Sequence, residues 1–465
     1  VGSNSLAFNT TASNNTAVGY QSLYDNTTGA QNTAVGQGAA SNTTTASGNS
    51  VLGYAALQVN TTGGNNVAVG QQALYGNTTA SNNTAVGYQA GYSNTTGALN
   101  TAVGTQALYA NTTQAFNTAV GYRALYNNAQ SYNTAVGHQA LYTNTGGYNI
   151  AAFGHNALTA NTTGHSLAAF GDVALTSNTT GAENTAVGSR AMIYNSTGSF
   201  NTALGRRALE NNTTASNNTA VGYLAGYSNT TGAQNTAVGH QALVANTTGL
   251  DNNAFGHNTL DANTTGYNNC GFGGGQTYLA AALGTNTTGY RNSGFGNGAL
   301  ASNSTGAHNT AVGDQSLYTN STGSSNTAVG KSAGTAVTTA TANTLIGVQA
   351  GDNVTTGANN TFVGSYCGGA TDDGAQNTAV GMTALNSGNC GNSNTAIGCG
   401  ALEACTSGNN TALGLDAGTN LTSGSNNLFL GYNAGVTGNP GGNFTTGSNA
   451  LVIGNVSTSA AHVQV

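Results

Sequence analysis

Small apolar residues, amides and glycine follow one another along this chain in a fixed order. Counted from a marker glycine at position 0, a turn reads Asn(−4)-Thr-Ala-Val-Gly-x-Gln-Ala-Leu-Tyr-x-Asn(+7)-Thr-Thr-Gly-x-x. The apolar positions −1 and +4 hold phase throughout, which an unstructured low-complexity tract has no need to do. Thr-Ala-Val and Gln-Ala-Leu-Tyr are expected to be extended segments. Asn-Thr-Thr-Gly carries turn chemistry, with Gly free to take positive φ. A helix is excluded because Gly, Asn and Thr recur too often in every turn. The 27 markers run from Gly2 to Gly454; of the 26 intervals, 22 are 17 residues, two are 16 (ending at Gly137 and Gly414) and two are 23 (ending at Gly296 and Gly454). Such a period predicts an all-β chain: a parallel β-solenoid (β-roll or β-helix) of about 27 turns with a 17-residue repeat.

Position −4 is Asn in 23 of the 26 turns that have it, with Ile150, Leu167 and Ala450 the exceptions. Stacked asparagines can donate to a carbonyl above and accept from an amide below, as in cross-β amide ladders. The column Asn15, Asn32, Asn49, Asn66, Asn83, Asn100 and Asn117 is therefore the candidate structural ladder. It would stand in a narrow interior lined by Ala, Val, Leu and Phe. A second Asn column at +7 lasts until Asn320, where Val337, Val354, Thr371, Gly388 and Cys405 take over. Tyr75, Tyr92, Tyr109, Tyr126 and Tyr142 at +5 would form an aromatic stripe suited to a surface or subunit contact. The chain thus divides into a regular shaft, 1–330, and a divergent continuation, 331–465, which holds four of the five Cys. Longer turns at Gly274–Thr285 and Gly435–Phe444 are expected to be loops on one face.

Charged residues make up only 4% of the chain, far below the usual quarter. Stacking supplies the reason. A charge repeated every ~4.8 Å would repel each neighbour by roughly 1 kcal/mol even in water. A single proline, Pro440, fits as well, since each Pro would delete a ladder donor. Six Lys plus Arg and a net charge of −6 exclude the basic surface that nucleic acids require. No apolar run reaches membrane-spanning length, so no membrane insertion is expected. The opening Val1-Gly2 falls in mid-repeat, as in a processed, truncated or polymer-forming chain.

Motifs that imitate chemistry are few. Gly330-Lys331-Ser332-Ala333-Gly334 matches a nucleophile elbow, but Gly87-Tyr88-Gln89-Ala90-Gly91 shows the repeat passing through the same frame. The pairs His138/His155 and His240/His257 fall one turn apart without a third metal ligand in phase. Asp372-Asp373 lacks the nonapeptide of calcium-binding β-rolls. No catalytic, cofactor or metal site is expected, and no enzymatic activity. Cys390 and Cys405 lie one turn apart at nearby phases and are a candidate disulfide, with buried free thiols as the other reading. Asn26, Asn60, Asn94, Asn161 and Asn229 begin Asn-x-Thr sequons and are candidate glycosylation sites, although Asn-Thr-Thr is also plain turn chemistry.

The Asn-Thr-Ala-Val-Gly motif, with its Ala-Leu and Asn-Thr-Thr-Gly companions, resembles shaft repeats of phage-type tail fibres and bacterial surface fibre proteins. It is similar, less closely, to the heads of trimeric autotransporter adhesins, whose repeat is shorter. The resemblance implies a parallel β-roll used for attachment, often with three chains side by side. The expected function is a structural subunit of an extracellular, cell-surface or virion fibre. Its partner would be a second copy of itself, joined end to end in a filament or laterally in a trimer. Two other classes stay open: a receptor-binding adhesin that contacts surface glycans or receptors, and an ice-binding protein. The repeated Thr pair lies in the turn and not in an alternating Thr-x-Thr strand, which counts against the last.

Overall fold

The computed structural model describes residues 2–275, 280–436 and 443–454. Pro440 and parts of both expected long turns, Gly274–Thr285 and Gly435–Phe444, lie outside the described residues. The chain forms two compact units, Val1–Thr231 and Gly232–Val465. The first carries strands β1 (Thr16–Val18) to β13 (Thr219–Val221) and the second β14 (Thr236–Val238) to β26 (Leu451–Ile453), one strand per turn. The change in composition near 330 falls inside the second unit.

Each unit is a parallel β-solenoid, and like residues stack on like. Between β6 (Thr101–Val103) and β7 (Thr118–Val120), Thr101 pairs with Thr118, Ala102 with Ala119 and Val103 with Val120. The marker glycine explains why this register tolerates no slip. Gly104 has φ 128°, and a Cβ there would meet the Gly121 carbonyl oxygen at 2.5 Å. Successive backbones approach so closely at this corner that only glycine fits.

Two sequence expectations need correction. Gln-Ala-Leu-Tyr is not a strand. Gln72 and Leu74 take φ 57° and 49°, the left-handed region, and nearly every turn repeats this. Peptides then point alternately backward and forward: the Gln72 N–H donates to the Tyr54 carbonyl at 2.9 Å, and the Leu74 N–H donates to the Ala90 carbonyl at 2.9 Å. A left-handed Leu costs about 1–2 kcal/mol in isolation, and the stacked hydrogen bonds on both sides hold it there. This also explains why position +4 alternates between Leu and Gly: the backbone favours Gly, while the interior needs Leu.

The second correction concerns position −1, which was expected inside. Three-residue strands bury only their middle side chain, because successive side chains point to opposite faces. Ala85 and Ala102 are buried, whereas Val86 and Val103 lie on the outer face. The interior therefore consists of Ala at −2 and +3, Leu at +4, and asparagine from two columns.

The divergent turns keep interior volume by exchange. Where Ala at −2 becomes Phe362, position +4 is Gly on both neighbouring sides, Gly351 and Gly368. Phe429 stands likewise between Gly418 and Gly435. Both phenylalanines are fully buried.

Candidate functional site

In several turns two asparagines converge on one buried carbonyl. Asn49 at −4 and Asn60 at +7 donate through their Nδ2 groups to the Gly63 carbonyl oxygen at 3.1 and 2.9 Å. The same arrangement ties Asn66 and Asn77 to Ala80, and Asn133 and Asn144 to Gly147. This clamp closes the turn, joining residue −4 to residue +10 across the interior.

The two columns then differ. At −4 the side-chain oxygen accepts the next turn's main chain: the Asn32, Asn49, Asn66 and Asn83 backbone N–H groups donate to Asn15, Asn32, Asn49 and Asn66 at 2.9–3.0 Å. Asn100 and Asn117 continue the series at 2.9 Å. Asn15 is half-buried and the other six are buried. At +7 the amides bond to one another: Asn77 to Asn60, Asn94 to Asn77 and Asn111 to Asn94 at 2.9, 2.9 and 3.0 Å. Amide-to-amide bonds also link parts of the −4 column, Asn49 to Asn32 at 3.1 Å and Asn66 to Asn49 at 3.2 Å, so both columns are ladders, −4 chiefly side chain to backbone and +7 amide to amide. The −4 column is the ladder expected from the sequence, donating to a carbonyl and accepting from the next turn's backbone amide; the amide-to-amide pairing at +7 was not read there.

A ladder running in one direction leaves an orphan acceptor wherever it stops. Asn26 Oδ1 is buried and unpaired, because Thr43 follows it one turn on, and Thr43 Oγ1 is unpaired too. Asn320 Oδ1 is orphaned in the same way before Val337. Thr43→Asn would link Asn26 to Asn60 and is expected to stabilise the chain by about 1–3 kcal/mol, the cost of a buried unpaired group. Urea denaturation followed by circular dichroism should show a raised midpoint at constant slope; an unchanged or lowered midpoint contradicts the directional ladder.

The proposed glycosylation sites are corrected by the same geometry. Asn26, Asn60, Asn94, Asn161 and Asn229 are all buried at +7. Their Nδ2 groups are committed: Asn161, for example, donates to Asn144 Oδ1 at 3.1 Å and to the Gly164 carbonyl at 3.0 Å. An N-linked sugar there would remove a ladder donor and has no interior room. Exposed sequon asparagines lie elsewhere: Asn14, Asn82, Asn217, Asn359 and Asn409 at −5, in Asn-Asn-Thr, together with Asn9, Asn42, Asn353 and Asn443. Folded protein expressed in a glycosylating host should carry any glycans at these exposed positions and none at the buried +7 asparagines, as read by site-resolved glycopeptide mass spectrometry.

The disulfide candidate is also corrected. Cys390 and Cys405 are buried free thiols. Cys390 Sγ donates to the Cys405 carbonyl at 3.0 Å, and Cys405 Sγ to the Ser407 carbonyl at 3.2 Å, so each sulfur occupies a position that Asn amides fill in earlier turns. Hydrogen bonding with Cys405, then burial, pushes the Cys390 thiol up, and the same bond pulls Cys405 down to about 7 against its burial.

The remaining motifs dissolve into the repeat. Ser332 occupies an ordinary left-handed +2 position, φ 57°. His138 and His155 stack at 5.2 Å, and His155 Nδ1 lies 3.1 Å from Asp172 Oδ1. His240 and His257 stack at 5.0 Å. Asp372 accepts from the Thr355 hydroxyl and Asp373 from Asn389, so both carboxylates are engaged by neighbouring turns. Among the described residues no three His, Cys, Asp or Glu side chains gather where a metal ion could sit. Buried Glu210 is held between Arg190 at 2.8 Å and Arg207 at 2.6 Å. The Tyr75–Tyr142 stripe forms a stacked column with centroids 5.0–5.2 Å apart.

One surface stands out. Position −1 is Val, Leu, Ile or Phe in all 26 strands, although only 38% of the chain is hydrophobic. Many of these side chains are exposed, including Leu52, Val86, Phe170 and Leu204 in the first unit, and Phe272, Phe295, Ile346 and Leu413 in the second. Thr at −3 points the same way, so the strands present an alternating outward Thr-x-Val. No strand carries a charge at either position. Sequence reasoning missed this face because apolar residues in phase were taken for interior. No protein-family model and no curated protein matches this chain.

Proposed function

We propose that the chain is a structural, non-catalytic subunit of an extracellular, cell-surface or virion fibre. The observation that carries this reading is the like-on-like register: within each unit, turn bonds to turn through strand, left-handed corner and asparagine side chains. Such a stack resists bending and shear along its whole height, and it lengthens by adding turns without redesign. Its near-absence of charge suits a surface repeated at every turn. Self-association is the partner chemistry that an uncharged apolar column favours.

Negative-stain electron microscopy of the purified chain tests this directly. Rods or filaments of uniform width are expected. Compact particles without an elongated axis would overturn it. An adhesin would instead show saturable binding of glycans or receptors.

A further inference from the structure

The outward face has relief as well as apolarity. In the first unit, β9 (Ile150–Phe153) and β10 (Ala168–Phe170) replace Val at −1 with Phe153 and Phe170. In those same strands Thr at −3 shrinks to Ala151 and Ala168. In the second unit β15 (Asn253–Phe255), β16 (Cys270–Phe272) and β17 (Ser293–Phe295) repeat the coupling: each carries Phe at −1 and no Thr at −3. The rings stack, Phe153 on Phe170 at 4.8 Å and Phe255 on Phe272 at 4.3 Å, into raised ridges, and in the first unit the ridge stands beside low ground at Ala151 and Ala168. Nothing inside the turns requires this pairing, because both positions point outward.

We propose that a second copy of the chain docks on this face of the first unit, parallel and side by side, about a two-fold axis running along the stacking direction. The inference rests on the fibre reading only in taking the chain to self-associate. A two-fold along that axis exchanges left and right at constant height. It therefore sets the −1 column of one copy against the −3 column of the other, strand by strand. Phe153 then meets the other copy's Ala151, Phe170 meets its Ala168, Leu52 meets its Ser50, Leu204 its Thr202 and Val69 its Val67, and in the other strands Val meets Thr. A two-fold across the stack would set ridge against ridge and match nothing. The interface is isologous, as homodimers require.

The area is sufficient. The first unit has thirteen strands. At ~4.8 Å each, and with a face roughly 12 Å wide, each copy would bury about 700 Å², close to the ~800 Å² per partner of standard interfaces. Shape also favours protein over ice. The phenylalanine ridges and the gaps in the Thr column at Ala151 and Ala168 spoil the flat regular plane that ordering water needs.

Sedimentation velocity on the full chain at micromolar concentration should show a dimer. Phe170→Asp should weaken it at least about 100-fold, since a charge would be buried in the contact, while thermal melting and circular dichroism stay unchanged. Ala168→Lys should weaken it likewise. Mixing the two variants should restore a heterodimer, because the parallel two-fold sets position 170 of one copy opposite position 168 of the other. If Phe170→Asp loses its β signal, Phe170→Ser gives the same test. A monomeric parent chain, a Phe170→Asp dimer as tight as the parent, or no rescue on mixing would overturn the proposal, as would ice shaping by the parent monomer. Fibres built from unpaired rods would sink the pairing while leaving the proposed function intact.

Discussion

Asn94→Ala is expected to destabilise the first unit by about 4 kcal/mol, although it removes one small uncharged side chain. The loss is concentrated in hydrogen bonds. Asn94 Nδ2 donates to Asn77 Oδ1 and to the Gly97 carbonyl, both at 2.9 Å, and Asn94 Oδ1 accepts from Asn111 Nδ2 at 3.0 Å. Alanine leaves Asn77 Oδ1 with no donor and Asn111 Nδ2 with one bond in place of two. Each buried orphan costs about 1–3 kcal/mol, and the vacated volume adds a cavity term. The exposed neighbour Thr96→Ala makes a fair control and should change stability by under about 0.5 kcal/mol. A stacked repeat need not unfold in one step, so a global midpoint can understate a local wound. Amide hydrogen exchange should therefore report the change most sharply, with protection falling at residues 77–111 and holding in distant turns. Uniform protection in Asn94→Ala would mean that the amide ladder contributes nothing to cohesion.

The same ladder links stability to the mechanical role proposed above. Backbone strand pairing covers only three residues of each 17-residue turn. The remainder is held by left-handed corners, by backbone and hydroxyl bonds between stacked threonines, and by asparagine amides that bond both along the stack and across each turn. A load applied along the stack is thus shared by strand, corner and both columns. Charge could not fill this role at a ~4.8 Å repeat, whereas a neutral amide is both donor and acceptor and bonds to its own copy above and below.

Much of this was readable from spacing alone. The 17-residue period gave the solenoid, and the recurrence of Asn at −4 and +7 identified both columns, because a residue that returns every turn stacks on itself. What stayed hidden depended on direction and not on periodicity. Position −1 is as faithfully apolar as an interior position, yet Val103 points outward because a three-residue strand can bury only Ala102. Gln72 and Leu74 belong to residue types that seldom take positive φ, so their corner looked like a strand. Sequons at Asn60 and Asn94 looked accessible because turn residues usually are, whereas this turn folds its first side chain inward. The thiols of Cys390 and Cys405 were correctly placed near one another, but they replace amides and bond to carbonyls. Periodicity tells which residues meet; it does not tell which way they face.

That distinction leads to the second large effect, at Phe362. Phe362→Ala alone should cost about 3–5 kcal/mol, the usual loss for deleting a fully buried ring. Gly368→Leu alone should also be severe, since a Cβ at 368 would lie 2.3 Å from Phe362 ring carbons. Together they should largely cancel. Gly368 already has φ 65°, close to the 52° of Leu385 at the equivalent position one turn on, so the backbone accepts leucine there. The double variant recreates the Ala-and-Leu interior of the regular turns and refills most of the volume that the ring occupied. A double-mutant cycle in urea should return a favourable coupling of at least about 2 kcal/mol between the two sites. Recovery will fall short of complete, because Phe362 also fills the space beside Gly351, 3.3 Å from its would-be Cβ. Simple additivity of the two losses would show that the divergent turns do not conserve interior volume by exchanging Ala and Leu for Phe and Gly.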